Sequence, residues 1–220
     1  MGNQTLSTGI PNLFLQKHSI GIRIWHWSTF LIIAASMITV LFASTLLNPR
    51  ENIGLVTEQL QKNGITVTND QAFAVSHEYE DKIWGVHKWI GFGIAFLLLS
   101  RLVIEIVQPG EEKFRSRFKY ALGKYKETDD QKSIYRHYIG VKFTYILFYA
   151  LLLCMVLTGL GMAFGRDLGF TREFYRAIKE IHSIGQYCMY AFILVHLGGV
   201  ILEENKDSKG LVSGMINGNK

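Results

Sequence analysis

Cysteine is scarce in this sequence: two in 220 residues, Cys154 and Cys188, both inside apolar stretches. They make neither the CxxCH spacing of covalent c-type haem attachment nor a zinc-binding spacing, so both motifs are excluded and the thiols are read as core residues. Missing too is a clear small-residue cleavage site behind the first apolar stretch. That stretch is longer than the apolar core of a signal peptide and is expected to remain as a span. The chain also lacks the polar content of an ordinary soluble domain. Hydrophobic residues make up 49% of it and the mean hydropathy is positive, which suits a handful of membrane spans in one integral membrane domain, residues 1–220. The net charge of +5 invites nucleic acid as a partner. However, the basic residues cluster between apolar segments, where the positive-inside rule accounts for them.

The expected fold is an all-α integral membrane protein, a four-transmembrane-helix bundle with spans at about 24–47, 83–107, 143–164 and 178–203. The first opens on Arg23, Ile24, Trp25, His26 and Trp27, and the second on Trp84, His87 and Trp89. Arginine and tryptophan are interfacial anchors. The third span holds Tyr145, Tyr149 and Cys154 with Gly159 and Gly161, which allow close helix packing, but no histidine. Residues 48–82, with turn formers Asn48, Pro49, Asn63 and Gly64, are expected as an extracytoplasmic connection long enough to form a small cap. His77 reads as a solvated residue within it. The stretch 108–138, with Lys113, Arg115, Arg117, Lys119, Lys124, Lys126, Lys132 and Arg136, is the most basic connection. It is therefore placed in the cytoplasm, together with both termini. Residues 1–20 read as a surface-lying segment, and neither His18 nor His137 is expected to be a ligand.

The stretch Ile178 to Glu203 organises the rest, because one apolar run carries both His182 and His196. About fourteen residues apart, they sit about 21 Å apart along a helix and within about 40° of the same face. A lone histidine on an apolar helix is more often a packed residue than a ligand. Yet ionisable groups in lipid are costly and usually functional, and imidazole is a good axial ligand for haem iron. With alternating helix direction, His26 and His196 fall near one membrane face, and His87 and His182 near the other. Depth alone thus sorts four histidines into two pairs. Gly91 and Gly185, one turn from His87 and His182, would let a flat macrocycle approach, although membrane helices also use glycine merely to pack. Arg101, about 21 Å beyond His87 on nearly the same face, has two readings: a partner for a haem propionate, or an interfacial arginine paired with Glu105.

These residues resemble the bacterial four-helix dihaem cytochromes b that anchor periplasmic nickel-iron hydrogenases, formate dehydrogenases and thiosulfate reductases, together with the related bacterial cytochrome b561. The resemblance covers nearly all the membrane part. It is carried by Arg23-Ile24-Trp25-His26-Trp27, His87, the His182 and His196 pair, and the closing run from Gly210 to Lys220. The segment His137-Tyr138-Ile139-Gly140 matches the family's His-Asn-Pro-Leu-Gly pattern only in part, and the first connection is longer than usual. The resemblance implies two b haems, one ligated from helices one and four and the other from helices two and four. It also implies quinone exchange near His26 and His196, with Arg23 and Arg101 as neighbours.

Two imidazoles on one iron leave no open coordination position, which suits one-electron transfer. The leading expectation is a conduit in the bacterial inner membrane between a periplasmic redox subunit and the quinone pool, a subunit of an oxidoreductase complex rather than a stand-alone enzyme. A second is a self-sufficient superoxide:quinone oxidoreductase, its anion drawn in by Lys88, Arg166, Arg172, Arg176 and Lys179. A third is a transporter bundle whose histidines serve protons or divalent metal. Homo-oligomerisation stays open.

Overall fold

The computed structural model describes residues 20–107, 114–127, 132–205, 211–216 and 218. The expected surface-lying segment up to residue 19, with His18, and two parts of the basic connection, 108–113 and 128–131, lie outside the described residues, as does the side chain of His137. Among the described residues the chain is all helical: α1 (Ile20–Ser44), α2 (Pro49–Lys62), α3 (Asn69–Val107), α4 (Phe114–Glu127), α5 (Lys132–Phe164), α6 (Arg172–Glu204) and α7 (Leu211–Ile216). Four of them are long and apolar enough to cross a membrane, through Ile20–Ser44, Asn69–Val107, Tyr138–Phe164 and Arg172–Leu202.

Residues 48–82, expected as a polar connection, are largely helical. Asn48 caps α2, its side-chain oxygen accepting from the Arg50 amide at 3.1 Å, and Pro49 supplies a preset φ at the first position. Gly64, at φ +75°, ends that helix. Four residues on, a reciprocal pair starts α3: the Thr68 amide donates to Gln71 Oε1 at 2.9 Å, and the Gln71 amide to Thr68 Oγ1 at 3.3 Å. No glycine or proline interrupts the polar residues 69–84, so the helix runs from this cap into the apolar segment and His77 lies on it. At 39 residues, α3 is about 58 Å long, well beyond a hydrocarbon layer of about 30 Å. Its first turns therefore extend outside the layer, with α2 packed along them.

The chain divides into two compact units, residues 29–192 and residues 1–28 with 193–220. In the larger unit all four long helices pack together. Ile32 of α1 lies against Gly93 of α3, Phe92 of α3 stacks on Phe164 of α5 at 5.8 Å, and Met155 of α5 fills the space left by Gly185 of α6. The tight α5–α6 turn uses Gly169 at φ +69° and a 2.9 Å bond from the Phe170 amide to the Gly165 carbonyl; Thr171 then caps α6. In the smaller unit, α7 is held by the first turns of α1. Arg23 Nη1 donates to the Ile216 carbonyl at 3.0 Å, and Trp27 Nε1 to the Met215 carbonyl at 2.9 Å.

Candidate functional site

In the larger unit the sequence places His87 on α3 and His182 on α6, and folding brings their ring centres to 6.4 Å with the planes at 86°. Each ring is held by a hydroxyl from a different helix. Thr39 Oγ1 of α1 is 2.8 Å from His87 Nδ1, and Thr158 Oγ1 of α5 is 2.8 Å from His182 Nδ1. Ser36 Oγ stands further from His87 Nδ1, at 3.5 Å. Trp84 sets its edge against His87 with ring centres 5.5 Å apart. A Cβ at Gly159 would come within 3.4 Å of His182 Cε1, so this glycine lets α5 pass close beside the imidazole.

Both imidazoles line one cavity of about 540 Å³, a volume in the range of cofactor sites. Its walls include Met37, Val40, Gly91, Leu152 and Met189, while Glu80, Asp81, Lys88 and Lys179 bring charges to it. Gly91 faces the cavity with nothing within 4 Å of an added Cβ. At Gly185 an added Cβ would meet Met155 Sδ at 2.7 Å. That glycine serves helix packing, whereas Gly91 has the open approach expected for both.

The smaller unit repeats the theme. His26 of α1 and His196 of α6 have ring centres 6.5 Å apart, tilted by 57°, with Trp27 edge-on to His26 at 5.6 Å. Folding thus brings together His26 with His196 and, in the other unit, His87 with His182. Arg23, one turn before His26, has its guanidinium on the C-terminal helix. Arg101 Nη2 lies 3.6 Å from Glu105, and the Arg101 guanidinium is within electrostatic reach of Tyr145 and Tyr149. Glu105 also accepts from the Phe114 amide at 2.7 Å, joining the end of α3 to the start of α4.

The residues fit a porphyrin iron. Metal–nitrogen bonds of about 2 Å on each side, with about 1 Å from nitrogen to ring centre, put two axial imidazoles roughly 6 Å apart. The same separation falls within the edge-to-face range of ordinary aromatic pairs. At His87 and His182, however, a packed pair would need neither the cavity beside it nor a hydroxyl on each Nδ1. Among the described residues there is no group of three or more His, Cys, Asp or Glu suited to a bare ion. Sequence reasoning missed Thr39 and Thr158, because a threonine in an apolar helix usually bonds only to its own backbone.

The family model described as prokaryotic cytochrome b561 matches residues 17–218. No curated protein and no solved structure matches the chain.

Proposed function

Because the chain belongs to the prokaryotic cytochrome b561 family, it is a multi-pass membrane b-type cytochrome of transmembrane electron transfer that binds haem b, and we propose that it holds two such haems, one between His26 and His196 and one between His87 and His182. The observation that carries this reading is the pairing of four imidazoles at ring separations of 6.5 and 6.4 Å. When bound, a bis-imidazole haem b supplies one-electron chemistry with no vacant coordination position. The chain's own residues do the rest. Four imidazoles would hold and orient the groups, apolar walls such as Val40 and Leu152 would face the one at His87, and Lys88 and Lys179 would offer cations to its carboxylates.

His182 and His196 both belong to α6, and in this reading each serves its own redox centre. In this reading the termini and the basic connection face the cytoplasm of a bacterial inner membrane, and quinone exchanges electrons near His26 and His196. A redox subunit meets the other face, near His87 and His182. A second reading, in which superoxide delivers electrons there directly, would draw on Lys88 and Lys179, which stand at the cavity beside Glu80 and Asp81.

The test is a dithionite-reduced minus oxidised spectrum with a haem-to-protein ratio, on protein from haem-replete cells. A b-type α band and two haems per chain are expected; a colourless preparation overturns the reading. Copurification of a larger redox subunit in mild detergent separates the subunit role from superoxide oxidation.

A further inference from the structure

The hydroxyls of Thr39 and Thr158 have only one proton each, and the structure accounts for both. Thr39 Oγ1 donates to the Ser36 carbonyl at 2.6 Å; Thr158 Oγ1 donates to the Cys154 carbonyl at 2.6 Å, with the Met155 carbonyl further off at 3.2 Å. A carbonyl can only accept, so each hydroxyl proton is committed to the backbone. The same oxygens lie 2.8 Å from His87 Nδ1 and His182 Nδ1. With its proton on the backbone, each oxygen meets its imidazole as an acceptor, the arrangement in which Nδ1 carries the proton. In a neutral imidazole the other nitrogen then bears the lone pair.

From this we infer that Thr39 and Thr158 are positioning residues that lock His87 and His182 in the Nδ1–H tautomer, so that both present a basic Nε2 to an iron between them. Two different helices, α1 and α5, supply the same device to two others, α3 and α6. Thr39 is only 5% exposed, so water does not compete for its lone pair. An acceptor on Nδ1–H does more than choose the tautomer: it makes the imidazole a stronger donor to the metal, which favours the ferric state and lowers the potential. The alternative is that each threonine merely satisfies itself against its own backbone, as threonines in apolar helices commonly do. That alternative makes the histidine contact incidental.

The inference rests on the reading of His87 and His182 as ligands of one haem, and the experiment separates the two. Full-length protein in mild detergent is titrated potentiometrically at the α band, with haem counted per chain, for wild type, Thr39→Val, Thr158→Val and the two serine variants. Valine keeps the shape and removes the acceptor; serine restores it. The expected result is one redox wave shifted upward in each valine variant, by a threefold to tenfold rise in the ferrous-to-ferric ratio at fixed ambient potential, where tenfold is about 59 mV for one electron. The second wave stays in place, and the serine variants titrate as wild type. Loss of one haem in a valine variant, with retention in its serine counterpart, supports the same conclusion. Valine variants that hold two haems at wild-type potentials overturn the inference, as does equal loss of haem in the valine and serine variants. Wild-type protein with fewer than two haems sinks the ligand reading itself, whatever the threonines do.

Discussion

His87 and His182, on separate helices and far apart in the chain, stand with ring centres 6.4 Å apart and planes nearly perpendicular. His26 and His196 stand 6.5 Å apart in the other unit. Since neither pair shares a residue with the other, each is expected to fail alone. His182→Ala or His87→Ala should leave one haem per chain, and His196→Ala or His26→Ala should leave the other. Pyridine haemochrome assay against protein concentration reads this directly. Two haems retained after any one of these changes would show the pairing to be wrong.

Gly165 and Gly93 make a second comparison. A Cβ at Gly165 would lie 2.6 Å from the Gly161 carbonyl oxygen and 2.9 Å from Phe170, whereas at Gly93 the crowding comes from the tip of the Ile32 side chain, at 2.5 Å. A backbone oxygen cannot swing aside, but an isoleucine tip can rotate. Gly165→Ala should therefore cost about 1–3 kcal/mol. Gly93→Ala should be near neutral, its crowding offset by up to about 1 kcal/mol of helix propensity. Thermal unfolding of the two variants in the same detergent gives the difference, and equal midpoints would contradict the argument.

The hold on α7 is a third. Arg23 and Trp27 donate to the carbonyls of Ile216 and Met215, and Gly218 sits at φ +78° where an added Cβ would come within 2.9 Å of Arg23 Nη1. The double change Arg23→Ala with Trp27→Phe, or Gly218→Val alone, should release the C-terminal helix. Limited proteolysis should then trim the C-terminus several-fold faster than in wild type while the rest of the chain stays intact. Unchanged trimming would mean that these two donors do not hold it.

Glu105 supports a fourth. Its carboxylate accepts from the Phe114 amide at 2.7 Å and lies 3.6 Å from Arg101. Glu105→Ala removes the acceptor for the first amide of α4, at a cost of about 1 kcal/mol to that helix end. Hydrogen exchange across Phe114–Glu127 should quicken by about fivefold, since 1.4 kcal/mol corresponds to tenfold. Glu105→Gln, which keeps an acceptor, should stay close to wild type.

Much of this protein was written in its residue types. Runs of apolar residues made four spans legible because lipid tolerates only helices whose backbone bonds are internal. The interval between His182 and His196 and the alternation of span direction predicted the two histidine pairs whose rings folding brings together. Other features depended on neighbours distant in the chain. Hydropathy has no view of residues 69–82, which are helical because Thr68 and Gln71 cap them and nothing breaks the helix before the apolar segment. Arg23 finds its acceptor at Ile216, and Gly185 finds Met155 where a macrocycle had been expected. The contacts of Thr39 and Thr158 with His87 and His182 were likewise decided in tertiary structure. A hydroxyl's choice between its own backbone and an imidazole depends on which helix packs beside it, and no local pattern of residues encodes that contact.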